Sequence, residues 1–123
     1  MDYEFEILDK IVAVKTHGEL NVEFFPGLLE EAIKLLTEYS DSHFLADHLD
    51  SPTVKLSAND VEQISLFASR LHSVLDGKKF AAVVKTDFDF GMGRMWMSLT
   101  ELNVKFEVSV FKDLDQAKSW LLT

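Results

Sequence analysis

The chain has 123 residues, the length of one ordinary domain, and its 47% apolar and 27% charged residues suit a folded core rather than disorder. Its 21 acidic and 12 basic residues leave a formal charge of −9, a field that repels phosphate backbones and anionic headgroups and so argues against nucleic acid as a partner. There is no cysteine, hence no disulfide, thiol nucleophile or zinc–thiolate site, and no apolar run of the roughly 18 residues that cross a bilayer.

The opening MDYEFEILDK is acidic and alternating, unlike the basic-then-apolar pattern of a secretion signal, so the expected location is the cytoplasm. Tyr3, Phe5 and Ile7 alternate with Glu4 and Glu6, the period of a half-exposed strand. Asp9-Lys10 separates this run from Ile11-Val12-Ala13-Val14, which is apolar throughout, as a strand covered on both faces is. Residues 2–17 therefore read as a hairpin from an edge strand into an interior one. After Gly18, Leu28, Leu29, Ala32, Leu35, Leu36 and Tyr39 fall at helical spacing, with Glu30, Glu31, Lys34 and Glu38 on the wet face. Pro26 suits the first turn of that helix, which leaves Phe24 and Phe25 to a preceding turn.

His43-Phe44-Leu45-Ala46 reads as a third strand that ends near residues 47–50. Ser57-Ala58-Asn59-Asp60 resembles a capping box, and Val61, Ile64, Ala68, Leu71 and Leu75 make one stripe of a second helix ending at Gly77. Phe80 to Val84 is a continuous apolar strand. Residues 91–102 read as a third helix with Met92, Met95, Leu99 and Leu102 facing inward. Val104, Phe106, Val108 and Val110 alternate with polar residues as a last strand, and Asp113 caps a last helix carrying Ala117, Trp120 and Leu121. Strands alternating with helices imply a single α/β domain over residues 1–123. Its sheet is mainly parallel, with one antiparallel edge strand and four helices.

Three segments in this order resemble the SpoIIAA-like proteins, small bacterial STAS-type domains grouped with the lipid-binding SEC14 fold. They are Gly18-Glu19-Leu20, Phe88-Asp89-Phe90-Gly91-Met92-Gly93-Arg94-Met95, and Val110-Phe111-Lys112-Asp113 with Ala117 and Trp120-Leu121. The resemblance implies a STAS-like fold and a non-enzymatic role in binding or regulation. In the anti-sigma-factor antagonists of that group, a Ser in Asp-Ser-(Ser/Thr)-Gly at the start of the second helix is phosphorylated. The matching region here is Lys55-Leu56-Ser57-Ala58-Asn59-Asp60, without the preceding acid or the following Gly. Ser57 is thus a candidate phosphorylation site, and as a helix cap it has a simpler role.

No catalytic or metal set emerges. Asp47, His48 and Asp50 are close in sequence, but strand neighbours point to opposite faces, and His43 and Asp47 stand about 13 Å apart at strand rise. A solvated strand end accounts for them. No Ser occupies a Gly-x-Ser-x-Gly elbow, and Ser98 lies mid-helix. Gly91-Met92-Gly93-Arg94 lacks the third Gly and the Lys of a phosphate loop. An anion resting on Gly91 and Gly93 beside Arg94 is the weaker reading; a tight turn, with Arg94 paired to an acid, is the stronger. No metal and no cofactor is expected.

Phe88 to Leu99 carries the functional expectation. With four residues assigned to the stripe, Phe88, Phe90, Trp96 and Met97 are surplus, and Leu66 is similarly off-stripe on the second helix. Either these side chains fill a small core or they form an adaptable apolar surface. We adopt the second: a pocket lined by Phe88, Phe90, Met92, Trp96 and Met97 and closed by Phe24 and Phe25. Its partner would be an apolar small molecule, a protein surface, a second copy of the chain or, peripherally, a membrane face. On this reading a charge at Trp96 abolishes binding and spares the fold. The alternative is a partner-switching protein that docks a protein partner at the start of the second helix, with Ser57, Thr53 or Ser51 phosphorylated.

Overall fold

Asp9 and Lys10 reverse the chain so that Leu8 stands opposite Ile11, and Lys10 takes up a left-handed φ of 58° to do so. The hairpin they close joins β1 (Asp2–Leu8) to β2 (Ile11–His17) in antiparallel register. The computed structural model describes residues 2–123. A short 3-10 turn (Val22–Phe24) leads into α1 (Phe25–Glu38), followed by β3 (His43–Asp50), α2 (Ala58–Ser69), β4 (Lys79–Val83), α3 (Asp87–Glu101), β5 (Glu107–Phe111) and α4 (Leu114–Leu121). The five strands form one sheet in chain order, and β2 to β5 run parallel.

Each interior strand sends alternate residues to two cores. Val12, Val14, Phe44, Ala46, Phe80 and Ala82 meet α1, α2 and α3 on one face. Ile11, Ala13, Leu45, Ala81 and Val83 meet α4 on the other. Three helices thus roof one face while a single helix covers part of the opposite one. This explains why β2, β3 and β4 read as unbroken apolar runs: both faces are buried.

The element order agrees with expectation; four details do not. β3 ends at Asp50, within the expected bounds, but Asp47 and His48 are 7% and 9% exposed, so they are not a solvated strand end. As the middle strand of five, β3 is paired on both sides and covered where helices cross it. α2 stops at Ser69, and successive turns carry Leu71 and Leu75 into the core before Gly77 turns with φ 73°. Phe24 belongs to the 3-10 turn, whereas Phe25 is the first residue of α1 and is buried.

The largest difference is α3, which begins at Asp87 rather than at residue 91. Thr86 caps it by accepting from the Asp89 N–H at 3.1 Å, and Asp87 and Asp89 in the first turn suit the positive end of the helix dipole. Gly91 and Gly93 are therefore interior helical residues, not a turn. Their N–H groups serve the helix ladder, so the anion site expected at Gly91, Gly93 and Arg94 does not form. Arg94 is exposed and makes no ion pair among the described residues. Gly93 has a packing reason: a Cβ there would lie 2.8 Å from Val110 Cγ1 of β5. The close approach rotates the helix so that Asp89, Trp96 and Thr100 are its buried residues, while Leu102, past the helix end, is 80% exposed.

Candidate ligand cavity

Along the three-helix face, the strands are apolar until their carboxyl ends and then turn polar. Val12 and Val14 are followed on the same face by Thr16, and Phe44 and Ala46 by His48. Between this face and the helices lies a cavity of about 90 Å³. Val14, Phe44, Ala46, Phe80 and Ala82 form its floor, Leu28, Leu29 and Ala32 of α1 and Val61, Ile64 and Phe67 of α2 form its roof, and Met92, Gly93 and Trp96 of α3 close one side. Phe25 stacks on Phe67 with centroids 6.2 Å apart and rings 5° from parallel, tying α1 to α2 above the void. Trp96 packs edge-on against Phe80 at 5.1 Å, and Phe80 against Phe44 at 4.8 Å.

Of the seven side chains expected to line a pocket, three do so: Phe25, Met92 and Trp96. Phe90 and Met97 pack partly buried on the core without lining the cavity, and Phe24 is half-buried in the 3-10 turn. Phe88 is 55% exposed on the first turn of α3, and Leu66 is 50% exposed on α2. Trp96, expected as surplus, is a core residue because the register of α3 turns it inward in place of Leu102. Its Nε1 is buried and has no hydrogen-bond partner among the described residues.

A polar end was not anticipated. His48 lines the cavity, and its Nδ1 lies 2.7 Å from the Thr16 hydroxyl, which in turn lies 2.6 Å from Ser51 Oγ. Burial holds the His48 imidazole down to about 4 against the opposing pull of Asp47, so the ring is neutral at pH 7. Asp89 Oδ1 accepts from both the N–H and the hydroxyl of Thr53, at 2.9 and 2.6 Å. Burial pushes the Asp89 carboxyl up, yet the hydrogen bonds from Thr53 and Thr86 outweigh it and keep the group below its ordinary range, hence ionised. The sequence signal for this end was the two-residue spacing that places His48 on the face of Phe44 and Ala46. Its partners lie 32 residues away at Thr16 and, for Asp89, 36 residues away at Thr53, which no local pattern reveals.

Asp47 points the other way, into a second, more polar cleft of about 330 Å³ with Ala13, Lys15 and Leu45 beside α4. The two neighbours thus face opposite sides of the sheet. Among the described residues no group of three His, Asp or Glu side chains is placed to hold a metal. Of the three hydroxyls considered for phosphorylation, Ser51 and Thr53 are buried at 1% and 4% exposure. Ser57 is exposed and caps α2: its Oγ accepts from the Asp60 N–H at 3.1 Å, and the Asp60 carboxylate accepts from the Ser57 N–H at 2.9 Å. No described helix is long and apolar enough to cross a membrane.

No family model and no curated protein matches the chain. Among solved structures it is similar to an uncharacterised protein from the DUF3478 family with a SpoIIAA-like fold from Shewanella loihica PV-4. The two align with a TM-score of 0.58 at 18% identity, over 98% of this chain and 92% of that one. The fold is therefore SpoIIAA-like, as the three sequence segments implied.

Proposed function

We propose that this protein is a non-enzymatic binding module that holds a small apolar molecule, or the apolar end of a longer lipid-like one, under α1, α2 and α3. The observation that carries this reading is the cavity itself. Protein interiors are packed to crystal density, so a cavity of about 90 Å³ lined almost wholly by apolar side chains is a departure from ordinary packing that an apolar ligand would fill. A few convergent polar groups in an otherwise apolar, concave site are the usual makings of a small-molecule pocket. An apolar cavity of about 150 Å³ admits a six-carbon ring, so a space of about 90 Å³ takes roughly four non-hydrogen atoms. A longer chain would enter only if the helices moved off the sheet.

The test is the mass of untagged protein under native and denaturing conditions, with solvent extraction of whatever is released. An extra mass lost on denaturation and recovered as an apolar molecule is the expected result. A clean apo mass, together with no rise in melting temperature under saturating propane, would overturn the reading.

A second reading rests on the exposure of Ser57 at the start of α2, where a phosphate would meet free N–H groups and the positive end of the helix. The Asp60 carboxylate on the same cap opposes it. Intact-mass analysis of protein from its native cell decides: a persistent added phosphate supports partner switching, and its absence removes the case.

A further inference from the structure

We infer that the carboxyl-edge end of the cavity is built to hydrogen-bond an uncharged hydroxyl, so that the ligand class is a small alcohol rather than a carboxylic acid. This rests on the cavity reading above and adds the chemistry of the ligand's polar end.

The argument starts from a count of protons in a buried trio. Ser51, Thr16 and His48 are 1%, 0% and 9% exposed and are linked in that order at 2.6 and 2.7 Å. The one other acceptor near the Thr16 hydroxyl, the Asp47 carbonyl, is 3.4 Å away, long for an O–H donor. If Ser51 donates to Thr16 and Thr16 donates to Nδ1, every hydroxyl proton in the trio is used. The opposite direction leaves the Ser51 proton buried without an acceptor. The first arrangement places the ring proton on Nε2, which hydrogen-bonds to no described residue and belongs to a side chain lining the cavity. This N–H is free to donate to a ligand oxygen in the cavity.

The charge at the same end then selects the kind of oxygen. Asp89, 3% exposed, also lines the cavity, and among the described residues it makes no ion pair. Both hydrogen bonds from Thr53 reach Oδ1. A carboxylate ligand would add a second negative charge to a low-dielectric site that already holds one. A hydroxyl accepts from His48 and has a proton left to donate, so it suits both groups.

Propan-1-ol, propionate and dissolved propane are the probes, of the size the void takes, titrated at pH 7 into the wild-type protein and into His48→Leu, His48→Gln and Asp89→Asn. Circular dichroism first establishes that each variant is folded. Because desolvation alone disfavours propionate, the variants carry the decision. His48→Leu is expected to lower the propanol-to-propane affinity ratio about tenfold, the scale of one lost hydrogen bond, and His48→Gln to restore most of it. Asp89→Asn is expected to narrow the preference for propanol over propionate at least fivefold. If propane binds but these ratios do not move, the polar-end inference fails and the cavity reading stands. If none of the three probes binds the wild type, the cavity reading fails and takes this inference with it.

Discussion

Two glycines two residues apart on α3 occupy opposite circumstances, and this makes them a sharp test of the packing. A Cβ at Gly91 meets nothing within 4 Å, so Gly91→Ala gains helix propensity and is expected to raise stability by up to about 1 kcal/mol. A Cβ at Gly93 meets Val110 Cγ1 at 2.8 Å, and a β-branched side chain in a strand has little room to turn away. Gly93→Ala is therefore expected to cost about 1–3 kcal/mol despite the same propensity gain, with Val110→Ala reducing the difference. Urea unfolding of these three single variants and of the Gly93→Ala/Val110→Ala double variant reads both signs. Trp96 belongs to the same scale. At 7% exposure it sits against Phe80, so Trp96→Glu is expected to lose at least the about 3–5 kcal/mol of a truncation and to unfold at room temperature. Retention of the native circular dichroism spectrum by that variant would contradict its place in the core. The expectation that a charge at Trp96 spares the fold is thus replaced by its opposite.

Caps decide where the elements of this protein begin. Ser57 and Asp60 satisfy each other's backbone N–H groups at the start of α2, Thr86 does this one-sidedly for α3, and Asp113 accepts from the Gln116 N–H at 3.0 Å for α4. Ser57→Ala is expected to cost about 1 kcal/mol in urea unfolding, whereas Ser57→Asp, itself a good cap, stays within a few tenths of wild type. A loss equal to that of Ser57→Ala in the Asp variant would mean that negative charge beside Asp60 outweighs the cap, and would also count against a phosphate there. The cap at Thr86 is the element whose meaning was obscured in the sequence. Gly91 and Gly93 outweighed it as a turn signal, which shifted the start of α3 by four residues and rotated its inner face.

At the scale of the whole molecule, acid is expected to loosen the fold. His48 is held at about 4 by burial, below its ordinary 6.5, and His43 is lowered by burial and by Lys79, Lys78 and Lys10. The unfolded chain therefore binds more protons than the folded one once the pH drops below 6.5, and stability falls as pH falls. For His48 the loss begins near 6.5 and reaches about 3 kcal/mol by pH 4. Asp89, whose pKa is lowered in the folded state, contributes stability that is lost in the same direction. Urea midpoints measured between pH 7 and 4.5 are expected to decline, and less steeply in His48→Gln; equal slopes in the two proteins would show that His48 titrates freely. The acidic charge of −9 and the exposed Phe88 and Leu66 bear on partners rather than on the fold.

The order of elements, the antiparallel entry into a parallel sheet and the inner faces of α1 and α2, except for the exposed Tyr39 past the end of α1, are legible in the residues, because they follow from local periodicity and from caps such as Ser57 and Asp113. Strands apolar on every residue at Ile11–Val14 and Phe80–Val84 already required cover on both sides, and the helices supply it. Which side chains of α3 point inward is settled by packing, since it depends on how close Gly93 lets the helix come to Val110. Packing also creates the cavity and lines it with His48 and Asp89, hydrogen-bonded to Thr16 and Thr53 respectively. A cavity is a gap between elements held apart by residues tens of positions distant, and a proton's place in the Ser51–Thr16–His48 chain depends on distances of a few tenths of an ångström. Neither leaves a periodic trace along the chain.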